Sequence, residues 1–367
     1  MRLKKSSNCL RNWRPCTMNL ETIIKEIGEY KGPNLKFMEV CGTHTASIFK
    51  NGIKSLLPTG LKLISGPGCP VCVTPSAYID KAIEWAKKPD CVLLTFGDMM
   101  KVPGFTHSLS EAKAEGANVE IMYSPHEVLK KAGSNPSKTY VIACVGFETT
   151  VPVYSLLIKQ LEENNISNVK LLTALRQVLP ALEFICSTDS EIDAFIAPGH
   201  ASTILGSDAY RNLALDYKKP FAVAGFEAEH VVIAIYDLIK QMEKGKHEVH
   251  NLYPSAVRPE GNKTALETID QYFTSGPAYW RGIGTIENSG LYLREPYMKY
   301  DAGSLGLSDD ADKQTSKCRC GEVILGKINP DECPMFGKAC TPLKAKGPCM
   351  VSTEGTCGIW YRFSDRK

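Results

Sequence analysis

The most constraining feature of the chain is a repeated local grammar. A short apolar run stops at a turn bearing glycine or cysteine, then resumes as a segment with helical period. Residues 61–65 lead into Gly66-Pro67-Gly68-Cys69-Pro70-Val71-Cys72-Val73-Thr74-Pro75. Residues 75–88 leave it with Ile79, Ala82, Ile83 and Ala86 on one helical face. Thr74 fits an N-cap there and Pro75 the first helical position. The same grammar recurs at 35–40 before Cys41-Gly42-Thr43-His44-Thr45, and at 91–96 before Gly97-Asp98. It returns at 140–145 before Gly146-Phe147-Glu148-Thr149-Thr150, at 194–197 before Pro198-Gly199-His200, and at 221–224 before Gly225-Phe226-Glu227. Strands alternating with helices pack as parallel, right-handed, helix-flanked sheets, so the expected fold class is α/β.

The 367 residues are enough for two or three cored domains. A loop-like stretch at 133–138 divides an α/β domain at 18–135 from a second at 136–250. These two parallel-sheet units are expected to face a cleft. From 251 the pattern breaks up: one helix at 263–273, irregular strand and loop to 300, a polar linker at 303–315, then a cysteine-rich end, so 251–367 is read as a third part. Gly-Phe-Glu occurs twice after apolar strands, which hints at duplicated α/β units. Residues 1–17 read as a disordered or over-extended amino extension, with no role for Cys9 or Cys16.

Composition narrows the function. A net charge of +3 is too close to neutral to argue for nucleic acid or a membrane surface. No apolar run is long enough to span a bilayer. Fourteen cysteines are many, and the basic amino end lacks the apolar core of a secretory signal. A cytoplasmic location is therefore expected, and metal or redox chemistry rather than a disulfide framework. There is no phosphate-binding glycine motif and no Gly-x-Ser-x-Gly nucleophile turn.

Ligands of open α/β sheets gather beyond the carboxyl ends of strands. Cys41 and the Cys69/Cys72 pair both sit there, and are expected on the same edge of one sheet. A thiol at a helix start feels the positive end of the dipole, which favours thiolate. The Cys69/Cys72 pair is thus a candidate for disulfide exchange or metal binding, against two buried structural cysteines. His44 is placed to tune the Cys41 thiol or hold a metal, against a helix histidine with no partner. Asp98 and Glu148 occupy strand ends and are kept as site candidates, although turn chemistry and a helix dipole explain both.

Residues 317–367 hold Cys318, Cys320, Cys333, Cys340, Cys349 and Cys357 among few aliphatic residues, so this stretch needs a staple. Two closely spaced cysteine pairs, as in a zinc ribbon, are not present. Instead Cys318, Cys333, Cys340 and Cys357 are separated by fourteen, six and sixteen residues. That spread, with Cys333-Pro334, favours a 4Fe-4S cluster over structural zinc. Cys320 and Cys349 are left over, and either can replace a neighbour as ligand.

Taken together, Cys41-Gly-Thr-His44, Gly-Pro-Gly-Cys69-Pro-Val-Cys72, Gly-Phe-Glu148-Thr-Thr and the terminal cysteine series resemble the HypD family of nickel–iron hydrogenase maturation proteins. The resemblance runs from about residue 18 to 363. It implies a scaffold on which iron receives cyanide and carbon monoxide as Fe(CN)2CO, in complex with the chaperone HypC. It implies cyanide delivery from HypE and transfer of the finished group to the hydrogenase large subunit. By motif, Cys41 would ligate the transient iron with His44 beside it. Cys69 and Cys72 would form a dithiol/disulfide pair fed by a 4Fe-4S cluster on Cys318, Cys333, Cys340 and Cys357. The alternative is an iron–sulfur thiol–disulfide reductase resembling ferredoxin–thioredoxin reductase, which leaves Cys41 and His44 idle.

Overall fold

The computed structural model describes residues 19–188, 191–309 and 318–363, so the amino extension with Cys9 and Cys16 and the second part of the 303–315 linker, from 310 on, lie outside the described residues. The chain folds as α/β in two compact units. Of the described residues, one contains those up to Gly68 and those within Ile185–Lys263, the other those within Cys69–Phe184 and from Thr264 onward. The expected divide near 135 is not a unit boundary. That loop joins a helix, Glu127–Ser134, to a strand of the same sheet. Strand pairing across the sequence outweighs the loop composition that suggested a divide.

The strands in chain order are β1 (Leu35–Glu39), β2 (Leu61–Ser65), β3 (Cys91–Thr95), β4 (Val119–Ile121), β5 (Thr139–Gly146), β6 (Val169–Arg176), β7 (Ala194–Ala197), β8 (Phe221–Val223), β9 (Val249–Asn251), β10 (Phe273–Trp280) and β11 (Gly284–Leu293).

In the first unit the order is β2-β1-β7-β8-β9 and every pairing is parallel. Strands covered on both faces read as nearly continuous apolar runs, as Ala194–Ala197 and Phe221–Val223 do. The core joins Phe37 and Ile196 from the sheet to Ile23 and Ile27 of the helix Leu20–Gly28 and to Ile235 and Leu238 of the helix Ala228–Glu243. Those two helices are also tied at the surface, where the Tyr236 hydroxyl donates to Glu26 Oε2 at 2.9 Å.

The second unit departs from the expected all-parallel sheet. Its order is β10-β11-β6-β5-β3-β4, with β4, β3, β5 and β6 parallel and β11 antiparallel to β6. The run from 280 to 300 was expected as irregular strand and loop, and the strand residues here are 273–293. They form a regular antiparallel hairpin with a bulge between Gly276 and Ala278. The glycines and Pro277 that look like loop punctuation serve the bulge and the turn. No helix among the described residues is long and apolar enough to cross a membrane.

Candidate functional site

Cys41 follows β1 by two residues, in extended conformation, and is the N-cap of the helix Gly42–Lys50. Its carbonyl accepts from Thr45 N–H at 3.0 Å, while its side chain makes no capping bond. The thiol thus sits at the positive end of a nine-residue helix, where a thiolate is stabilised. Beneath it lies Glu39, a buried carboxylate that sequence reading did not single out. Glu39 Oε2 accepts from the Cys41 N–H at 3.1 Å, and Oε1 accepts a short bond from the Thr45 hydroxyl. Burial raises its carboxyl from 4.5 to about 7, offset in part by its Ser65, Thr45 and Cys41 donors. A glutamate inside the apolar run 35–40 was the signal available, since a charge in a buried strand requires partners.

The loop after β2 lies on the Cys41 turn, as expected for neighbouring parallel strands. Gly66 N–H donates to Glu39 O at 2.7 Å, and Gly42 N–H donates to Gly68 O at 3.4 Å. A Cβ on Gly68 would stand 2.5 Å from both Cys41 Cα and N. Gly68→Ala should therefore displace the Cys41 turn and cost about 1–3 kcal/mol in stability, as overpacking does. Chemical denaturation measures the loss, and alkylation of Cys41 in the folded protein should speed up as the turn opens.

His44 is fully buried on the same helix. Its Nε2 lies 3.0 Å from Gly225 O and 3.2 Å from Ala224 O, so Nε2 carries the proton and donates to the end of β8. Its ring packs against Phe226 at 5.0 Å, and His200 lies 4.0 Å from the same ring. Burial pushes the imidazole down to about 4, with His200 and His230 adding to the effect, so His44 is neutral at ordinary pH. Nδ1 has no hydrogen-bond partner, which leaves its lone pair available. His44 is thus anchored through one nitrogen, contrary to the reading of a histidine with no partner.

In the second unit Cys69 and Cys72 are joined as a disulfide with Cα atoms 5.3 Å apart, and both are buried. Cys72 N–H also points at Cys69 Sγ at 3.2 Å. The helix that follows is Ser76–Ala86 with Pro75 as N-cap, one position later than expected. Thr74 does not cap it; its hydroxyl donates back to Pro70 O at 2.9 Å and closes the cysteine turn.

Asp98 lies exposed on the short 3-10 turn Gly97–Lys101. Glu148 is buried, and its Oε1 accepts from Val178 N–H at 2.7 Å, which ties the turn after β5 to the start of the helix Val178–Ser187. Oε2 has no partner, and burial raises the carboxyl from 4.5 to about 7. The folded state then holds the proton more tightly than the unfolded state, so stability falls as pH rises from 4.5 to about 7. Glu148→Gln keeps an acceptor for Val178 and removes that titration. Its stability relative to the parent should improve by on the order of 3 kcal/mol between about pH 4.5 and pH 8, at about 1.4 kcal/mol per pKa unit. Urea melts at both pH values check this; a pH-independent difference would contradict it.

The carboxyl-terminal stretch gathers its thiols. Cys318, Cys320, Cys333, Cys340 and Cys357 line one hollow, with Arg319 and Lys346 at its wall. Cys318 and Cys320 Sγ are 3.0 Å apart. Cys340 Sγ accepts from Lys346 N–H at 3.3 Å. Cys349 is buried, and its Sγ accepts from Cys357 N–H at 3.4 Å. A Cβ on Gly347 would stand 2.6 Å from both Cys318 and Cys320 Sγ, so glycine keeps that wall open. The hydrogen bond to Cys320 and burial hold the Cys318 thiol up, so loading a metal group there would release a proton. No three His, Cys, Asp or Glu among the described residues converge tightly enough for a single ion. Val323, Met335, Phe336 and Met350 line the hollow beside the thiols, and Arg319 is paired with Glu322. Cys320, left over by spacing, stands in the hollow beside the expected Cys318.

Comparison with known proteins is consistent along the whole described chain. The HypD profile, described as "Hydrogenase formation hypA family", matches residues 18–364. The chain is 40% identical over 341 residues to "Hydrogenase maturation factor HypD" of Escherichia coli, covering 91% of this chain and 90% of that one. It is 38% identical over 342 residues to "Hydrogenase expression/formation protein HupD" of Azotobacter chroococcum, covering 90% of each. It is 37% identical over 348 residues to "Hydrogenase maturation factor HypD" of Rhodobacter capsulatus, covering 93% of this chain and 92% of that one.

Proposed function

The chain belongs to the HypD family of hydrogenase maturation factors, and on that premise we propose that it is the scaffold on which an Fe(CN)2CO group is assembled. Iron carrying cyanide and carbon monoxide is the cargo. It calls for a soft anionic ligand, which Cys41 supplies. The observation that carries this reading is the Cys41 turn: a thiol at a helix N-cap with no capping duty, its backbone N–H held by the buried Glu39. The uncapped helix start favours the thiolate, and Glu39 fixes the direction in which the turn presents it. His44, neutral and held by the Ala224 and Gly225 carbonyls just after β8, offers Nδ1 as acceptor or further ligand.

Cyanide arriving as thiocyanate requires reducing equivalents to shed its sulfur, and the Cys69/Cys72 pair is their store in this reading. Cys318 or Cys320, with Cys333, Cys340 and Cys357, would hold a 4Fe-4S cluster. When bound, that cluster supplies single electrons. The partners are a HypC-type chaperone, a HypE-type cyanide donor and, through the chaperone, the hydrogenase large subunit.

The test is an infrared spectrum of the chain purified without oxygen together with the candidate chaperone. Metal-bound cyanide and carbon monoxide stretches are expected. Their absence, with the iron–sulfur group full and the chaperone bound, would favour a thiol–disulfide reductase instead. That second reading draws on one observation, the disulfide and the thiol-lined hollow lying in the same unit.

A further inference from the structure

We infer that the turn between β10 and β11, at Arg281 and Gly282, is the joint that couples the Cys69–Cys72 disulfide to the thiol-lined hollow. This rests on the reading that the hollow holds an iron–sulfur group and that the pair is redox-active. The hairpin itself is rigid. Trp280 is fully buried, and its Nε1 donates to Ser289 Oγ at 2.7 Å, which in turn donates to Ile286 O at 2.8 Å. Phe147 stacks on the indole with centroids 5.9 Å apart.

On one side the turn is bonded to the cysteine turn. Arg281 N–H donates to the carbonyl of Val73, the residue after Cys72, at 2.8 Å, and Arg281 Nη1 donates to Pro103 O at 2.7 Å. On the other side it touches the hollow. Gly282 has φ +77°, and a Cβ on it would stand 2.7 Å from the Cα of Gly321, the residue after Cys320. A Cβ on Gly321 would in turn stand 2.8 Å from Gly282 Cα. Both positions therefore need glycine for the two backbones to lie against each other. A continuous route from one site to the other runs Cys72, Val73, Arg281, Gly282, Gly321, Cys320. It is covalent apart from one hydrogen bond and one van der Waals contact.

The coupled step balances as follows. A reduced cluster gives one electron at a time and is recharged by a low-potential one-electron donor. Two electrons break the Cys69–Cys72 bond, and two protons from water complete the two thiols. The turn itself is not consumed. It fixes the separation and path between donor and disulfide, as a positioning element.

The test uses the full chain, reconstituted without oxygen with iron and sulfide, and dithionite with a viologen mediator as the donor. Gly321→Ala and Gly282→Ala press on the same contact from opposite sides. Iron and sulfide content and the electron paramagnetic resonance of the reduced cluster should match the parent. Opening of the disulfide, read by differential alkylation of Cys69 and Cys72, should slow about tenfold or more, since small displacements carry large kinetic costs. Unchanged opening in variants with a full cluster would overturn the inference. So would loss of iron and sulfide from both, which would assign the contact to building the hollow. If the parent itself takes up no cluster, or its disulfide is inert to the reduced cluster, the underlying functional reading fails instead.

Discussion

Replacing Cys41 with Ala should abolish hydrogenase maturation and remove every metal-bound cyanide and carbon monoxide band from the purified complex. The loss should be complete because no second thiol is offered by the same helix start. Glu39 and the Gly68 loop hold the turn through Cys41 backbone atoms, so the bonds at its N–H and carbonyl survive the substitution. The Cys41 side chain is small and does not cap its helix, so stability should change by about 1 kcal/mol or less. The iron–sulfur content should be unaffected, since the thiol-lined hollow belongs to the other unit. Loss of maturation with the fold and the cluster intact separates a ligand from a structural cysteine. An active Cys41→Ala variant would remove the ligand assignment. Cys41→Ser, which keeps size and polarity but not softness, should behave like Ala.

How much of this was legible in the sequence follows from which interactions are local. A strand that stops at Cys41-Gly42, or at Ser65 before Gly66-Pro67-Gly68, announces itself by an apolar run ending in residues that a sheet interior rejects. Ala194–Ala197 was read to the residue for that reason, and the helix starts were read to within a few positions. The approach of the Gly66–Gly68 loop to the Cys41 turn was also legible, because sequential parallel strands tend to pair and β1 does pair with β2. What was not legible is the insertion of β7 on the other side of β1, more than 150 residues later, which makes the two units discontinuous. Nothing near residue 68 or 185 marks the crossings, since they are decided by which sheet completes its hydrogen bonds. The β10–β11 hairpin was hidden by its own glycines, which are needed for its bulge, its turn and its approach to Gly321. At the candidate site the metal-philic residues were legible as types, whereas their supports were not. Glu39 matters through Thr45 and Ser65, and Arg281 through Val73, pairings that exist only in the folded chain.

The second large effect concerns the thiol-lined hollow. Cys340→Ser or Cys357→Ser should strip iron and acid-labile sulfide from the protein and unfold the stretch from Cys318 to the end of the described chain. This stretch has short helices of four, five and eight residues and a sparse apolar core that includes Val323, Ile324, Met350 and Ile359. A segment of that size rarely holds itself without a staple, so metal-binding energy becomes folding energy. Hydrogen exchange should therefore show protection of 318–363 that depends on the cluster, while the two sheets keep theirs. The single replacements at the Cys318/Cys320 pair divide the remaining question. Their sulfurs lie 3.0 Å apart, too close for both to ligate separate irons of one cluster, so one serine variant should lose the cluster and the other keep it. Cys349 is buried with its thiol hydrogen-bonded to those of Cys320 and Cys357, so Cys349→Ala should retain the cluster with a shifted spectrum, and loss of the cluster would make Cys349 a ligand in place of a neighbour. A protein that binds zinc in place of iron, and keeps it through all of these changes, would mean that the hollow is a structural metal site and that the Cys69–Cys72 pair draws its electrons from elsewhere.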